Sequence, residues 1–141
     1  MWPKDFADRL TAWSELRAEA QSLDCQAALE KINAWWFQIP WKPYYLHWDD
    51  QPMWPDPWQL LSDNWYCDLA RALGILYTIS LLDRADLGDA RLVLTEDGSN
   101  LVLVAKEKYI LNWDRDTIVN TNQEVKIKRQ LTQQEVKKQY L

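Results

Sequence analysis

Cys67 stands directly ahead of an apolar run in the stretch NWYCDLARALGILYTI, residues 64–79. A cysteine at a helix N-terminus gains from the aligned backbone dipoles, which lower a thiol from its usual value of ~8.5 and favour the nucleophilic thiolate. Acyl-transfer chemistry on such a thiol needs two further groups: an imidazole to take and return the proton, and a carboxylate or amide to orient it. The chain holds a single histidine, His47, ahead of that helix in a stretch crowded with Trp and Pro. The plain alternative is an inert core thiol, because free cysteine is among the residue types most often buried. Cys25 reads the same way. With one His and no closely spaced Cys pair, neither a metal site nor a disulfide framework is expected, and no cofactor is implied.

Helices come first along the chain. Phe6, Leu10, Trp13, Leu16 and Ala20 recur at helical spacing and predict a helix over 4–20. A second helix is predicted from about Asp24 to Phe37, capped by Asp24 or Ser22 and stopped before Pro40. The next stretch, IPWKPYYLHWDDQPMWPDPWQLL, carries five prolines, which forbid a continuous helix until the short turn that Pro57 can begin. Residues 66–82, apolar nearly all round, predict a buried central helix with Asp63 or Asn64 as its cap. The pattern then changes to strands: ARLVLTE, a turn at Asp97-Gly98, NLVLVAKE and YILNWD. EVKIKRQ alternates like an edge strand, and Thr132 to Glu135 offers a capping box for a last short helix. Helices followed by an antiparallel meander make the fold class α+β.

Composition narrows the function classes. A chain of 141 residues fits one compact domain, but ten Trp against three Gly is unusual and points to aromatic plates in the core or on partner-facing surfaces. Of 16 basic and 21 acidic residues, 5 and 2 lie in residues 121–141, net +3, which leaves residues 1–120 at net −8. An acidic body argues against nucleic-acid binding. The basic stretch 121–141 is expected to be a C-terminal extension that docks a partner, beyond a single domain over 1–120. Ala72 to Leu82 is too short to span a bilayer, and Met1-Trp2-Pro3-Lys4-Asp5 opens with charge, so no membrane insertion, no signal peptide and cytoplasmic synthesis are expected.

From about Leu29 to Asn120 the chain resembles the bacterial transglutaminase-like cysteine proteinases. The family's D-Y-W-A-T-P-x-E-F-L is met by PMWPDPWQLL, its nucleophile text G-D-C-E-D-x-A-x-x-K-Y-x-x-L by NWYCDLARALGILYTI, and its H-M-V-L and I-L-D-N strands by NLVLV and YILNWD. The resemblance implies a papain/transglutaminase-like core, with N-terminal helices and a central buried helix packed on a small antiparallel sheet. It places the nucleophile at Cys67, the catalytic His at Asn100 and the catalytic Asp at Asn112. An amide has no proton-accepting nitrogen near neutral pH, so Asn100 cannot be the general base. Trp65-Tyr66 replace the family's Gly-Asp pair ahead of the cysteine, and these aromatics are expected to fill the cleft.

The expected function is therefore a non-catalytic structural or docking module, a subunit of a large assembly. Its partner-binding residues are expected in the Trp/Pro stretch (Trp41, Trp48, Trp54, Trp58) and in the basic stretch (Lys126, Lys128, Arg129, Lys137, Lys138). The text WPDPWQLL…YC is also similar to small transglutaminase-like proteins of tailed phages, which implies a virion component in the tail or baseplate. Two alternatives stand beside this: an active cysteine peptidase or amidase using Cys67 with His47, or with a base supplied by a partner, and an assembly chaperone or inhibitor that binds a peptide in the vestigial cleft.

Overall fold

The computed structural model describes residues 1–43 and 45–141. Among the described residues five α-helices, α1 (Phe6–Ser22), α2 (Cys25–Trp36), α3 (Pro57–Asp63), α4 (Asp68–Leu82) and α5 (Gln133–Gln139), accompany four strands, β1 (Arg91–Thr95), β2 (Asn100–Val104), β3 (Tyr109–Leu111) and β4 (Ile127–Thr132). The strands form one antiparallel sheet in the order β3-β2-β1-β4. The α+β class read from the sequence is the class observed.

Local chemistry sets the boundaries. Asp24 caps α2 by accepting from Ala27 N at 2.8 Å, Asp56 caps α3 through Gln59 N, and Thr132 and Glu135 form the expected capping box of α5. The cap expected for the central helix falls elsewhere. Asp63 closes α3, Asn64 ends it in the left-handed region at φ 55°, and Cys67 itself occupies the N-cap of α4 without a side-chain capping bond. Asn tolerates that backbone, so Asn64 serves as a stop and not as a start.

Helix α4 runs through the centre of the molecule, with only Asp68, Arg71 and Leu81 less than buried. Helices α1, α2 and α3 and the inner face of the sheet pack around it. The α2 contact is close: a Cβ on Gly74 would stand 2.5 Å from ring atoms of Trp36, so only glycine admits the indole there. Two indoles then share one hydroxyl, as Trp13 Nε1 and Trp36 Nε1 each donate to Thr78 Oγ1 at 2.9 Å, while Thr78 Oγ1 donates to Gly74 O at 2.8 Å. All three side chains are at most 1% exposed, so no water substitutes for these bonds. Arg9, 4% exposed, is accommodated because its donors go to the backbone carbonyls of Leu61, Pro3 and Lys4.

Residues 121–141 were expected as an extension beyond the domain. The structure builds most of this stretch into the same fold. β4 pairs with β1 from Arg91↔Thr132 to Thr95↔Ile127, with a bulge at Leu94/Thr95, and Leu131 and Val136 are at most 1% exposed. Strand β4 lies at the sheet edge, as its alternation predicts. α5 then packs on α4, and Tyr140 stacks on Trp54, 6.4 Å between ring centroids at an interplanar angle of 21°.

Candidate functional site

The start of α4, the start of β2 and the Trp/Pro loop meet at one cleft. Its volume is about 320 Å³, and its walls are Trp41, Pro43, Leu46, His47, Trp48, Cys67, Asp68, Leu69 and Asn100. Cys67 is brought to it as the N-cap of α4 and is 6% exposed. Asn100 arrives from the first position of β2 on the core-facing side, and Asn112 follows the last residue of β3. The structure thus gathers three of the residues that the sequence singled out, which lie 45 positions apart at the extremes.

Their surroundings are amide and carboxylate chemistry. Asn100 accepts from Trp48 Nε1 at 2.8 Å through Oδ1 and donates to Asp68 Oδ2 at 3.2 Å through Nδ2. Asn112 donates through Nδ2 to Asn100 O at 2.8 Å, Asp68 O at 3.1 Å and Asp68 Oδ1 at 3.3 Å, and its Oδ1 accepts from Arg71 Nε at 2.5 Å. Arg71 Nη2 also reaches Asp68 Oδ1 at 3.3 Å, and its guanidinium lies 3.8 Å over the Phe37 ring. Burial lowers the Arg71 pKa, with Asp68 opposing that shift, so the guanidinium stays charged and balances the carboxylate. The Asn112 backbone is left-handed at φ 68°, a conformation that asparagine adopts more readily than most residues. Asn33 of α2 fixes that turn by accepting from Asn112 N at 2.9 Å and donating to Asp114 O and Arg115 O.

Asp68 is the hub, since two amides and one guanidinium converge on its side chain. Arg71 is salt-bridged to Asp68, and sequence reading missed Asn33 and the role of Asp68. The available signal was a polar residue inside the apolar face of α2, at Asn33, which is 0% exposed. Asp114, just beyond β3, uses its carboxylate locally by accepting from Asp116 N at 3.1 Å.

His47 reaches the same cleft from the loop, and its side chain is exposed. The His47 carbonyl is fixed by Trp54 Nε1 at 2.8 Å, yet among the described residues its ring makes no hydrogen bond to Cys67 Sγ. The loop carrying it is braced from the C-terminal elements. Arg129 Nη2 pairs with Asp49 at 2.9 Å, and Tyr140 Oη donates to Gln51 O at 2.6 Å. Among the described residues, no three His, Cys, Asp or Glu side chains converge to hold a metal ion, and no helix is long and apolar enough to cross a membrane.

Three expectations need correction. Trp65 and Tyr66 do not fill the cleft: Tyr66 is 0% exposed against Trp2 and Trp36, while Trp65 turns outward over Lys42. The cleft's indoles come instead from Trp41 and Trp48. Trp54 is 5% exposed and packs on Trp48 and Tyr140, so it offers no surface to a partner, whereas Trp41 at 57% and Trp58 at 46% remain exposed. In the basic stretch, Arg129 and Lys137 are engaged by Asp49 and Asp83, while Lys126, Lys128 and Lys138 face solvent outside the ion pairs described.

No protein-family model and no curated protein sequence matches the chain. Solved structures do match. Legionella pneumophila LapG superposes with a TM-score of 0.66 at 16% identity over 93% of this chain and 78% of that one. The fold is transglutaminase-like. An EGTA-treated form of LapG gives a TM-score of 0.63, also at 16% identity, over 89% and 73% of the two chains. LapG has a transglutaminase-like cysteine protease fold, and the likeness carries the scaffold, helices and small sheet together, to this chain. In this chain the start of α4 and the start of β2 line one cleft, with Cys67 on the helix and Asn100 on the strand.

Proposed function

We propose that this chain is a non-catalytic docking module, a transglutaminase-like domain whose thiol cleft holds a partner segment without cleaving it. The observation that carries the reading is the closed network at Asp68. Asn100 and Asn112, at the positions that the resemblance assigns to His and Asp, are both bound there as amides, and neither accepts a proton near neutral pH. Cys67 therefore lacks the base on β2 that a nucleophile in this position requires. We place the module in a larger assembly, a virion tail or baseplate. The similarity of WPDPWQLL…YC to small tailed-phage proteins supports this, as do the exposed indoles Trp41, Trp58, Trp65 and Trp113, a residue type enriched where partners bury surface.

One observation favours a second reading. Cys67 and His47 line the same cleft, so a peptidase or amidase using His47 as base remains the competing account.

Parallel assays of the native chain and Cys67→Ser decide between them, following hydrolysis of an unstructured protein such as casein and amine incorporation into a glutamine-bearing peptide. The docking reading predicts no difference between the two proteins. Turnover that disappears with the sulfur overturns it.

A further inference from the structure

The sheet has a second apolar face, and it is not fully covered. Strand alternation turns Val93, Leu101, Leu103 and Ile110 away from the helices, and Val125 and Ile127 close over part of this cluster. Between the hairpin turn at Glu96–Ser99 and the segment Gln123–Lys126 a groove of about 450 Å³ remains open. Leu101 and Val125 supply apolar lining, and Trp113, 58% exposed, stands in its wall. The groove is braced across one end by Glu96 N, which donates to Lys126 O at 2.9 Å.

Its charge is one-sided. Glu96, Asp97 and Glu124 line the groove against the single cation of Lys126. Asp97 is held by Thr95 Oγ1 and by Ser99 N, and these bonds lower its pKa, so the carboxylate is charged at neutral pH. A cation with an apolar stem answers each of these features: the stem lies on Leu101 and Val125, the head meets the carboxylates, and the indole face of Trp113 attracts it. An apolar segment would desolvate three carboxylates without compensation, and an acidic segment or a nucleic acid would be repelled.

We propose that this groove docks an extended segment of a partner protein that presents lysine or arginine side chains. It lies on the face of the sheet opposite the thiol cleft, because Leu101 joins the outer apolar cluster while its neighbour Asn100 lines the cleft with Cys67, so the two surfaces stand or fall separately.

The probe is a fluorescein-labelled peptide, acetyl-Ala-Lys-Ala-Arg-Ala-Lys-Ala, titrated by anisotropy against the full chain at low salt, with a glutamate-for-cation peptide of equal length as comparison. The basic peptide is expected to bind and the acidic one is not. Trp113→Ala is expected to weaken binding about fivefold, the loss of one exposed cation–π contact. The double variant Glu96→Gln/Glu124→Gln is expected to weaken it about tenfold, with circular dichroism reporting an unchanged fold. Absence of basic-peptide binding overturns the proposal. So does binding that both variants leave unchanged, because a diffuse attraction to the acidic surface would then explain it.

Discussion

Thr78→Val is expected to lower the unfolding free energy by about 4 kcal/mol, because each of two buried indole N–H groups left without an acceptor costs about 1–3 kcal/mol. Valine keeps the shape of threonine, so the loss isolates the hydrogen bonds from packing. Trp13 and Trp36 have no route to water, being 1% exposed each. Trp36 has no freedom to turn either, since its ring lies against the bare backbone at Gly74. Thr78→Ser retains the acceptor and removes one methyl group, and is expected to cost about 1 kcal/mol. Urea denaturation of the three proteins measures the difference. A valine variant no weaker than the serine variant would show that the shared hydroxyl contributes little.

The second large effect is expected at Asn112. Its replacement by alanine removes the acceptor of Arg71 Nε and the donors to Asn100 O and Asp68, and places a Cβ residue without local hydrogen bonds in the left-handed region at φ 68°. The expected loss is about 3 kcal/mol, from unpaired buried polar groups together with backbone strain. Asn112→Asp is the informative partner. It keeps the acceptor for Arg71 but gives up all three donations and sets a second carboxylate beside Asp68, so it is also expected to destabilise, and more at neutral than at acid pH. The sign follows from the pairing: a carboxylate facing a carboxylate binds its proton more tightly folded than unfolded, so its presence costs stability once both are ionised. Thermal unfolding of the variant across pH tests this. An aspartate variant as stable as the native chain at neutral pH would mean that the position does not require an amide.

That requirement explains in physical terms what the sequence showed and what it hid. Cys67 ahead of an apolar run was legible because a helix start is a local event, and the Asp24 cap and the Thr132–Glu135 capping box were legible for the same reason. The start of the central helix was displaced because Asp63 and Asn64 are good caps by type, while the backbone uses Asn64 as a left-handed stop. Long-range pairings left no local mark. Nothing in the text near Trp54 announces Tyr140, and nothing near Asn33 announces the turn at Asn112. The Asn residues at 100 and 112 read as losses in the sequence. In the structure they are the donors that satisfy Asp68.

The central claim is that no base activates Cys67. The measurement that tests it most directly is the rate of Cys67 alkylation by iodoacetamide at pH 7 in the native chain and in His47→Ala, read by mass spectrometry with Cys25 as the internal standard. The account predicts equal rates in the two proteins, normalised to Cys25. A rate that falls about tenfold or more on removal of the imidazole would show that His47 serves the thiol as its base, and would contradict the account.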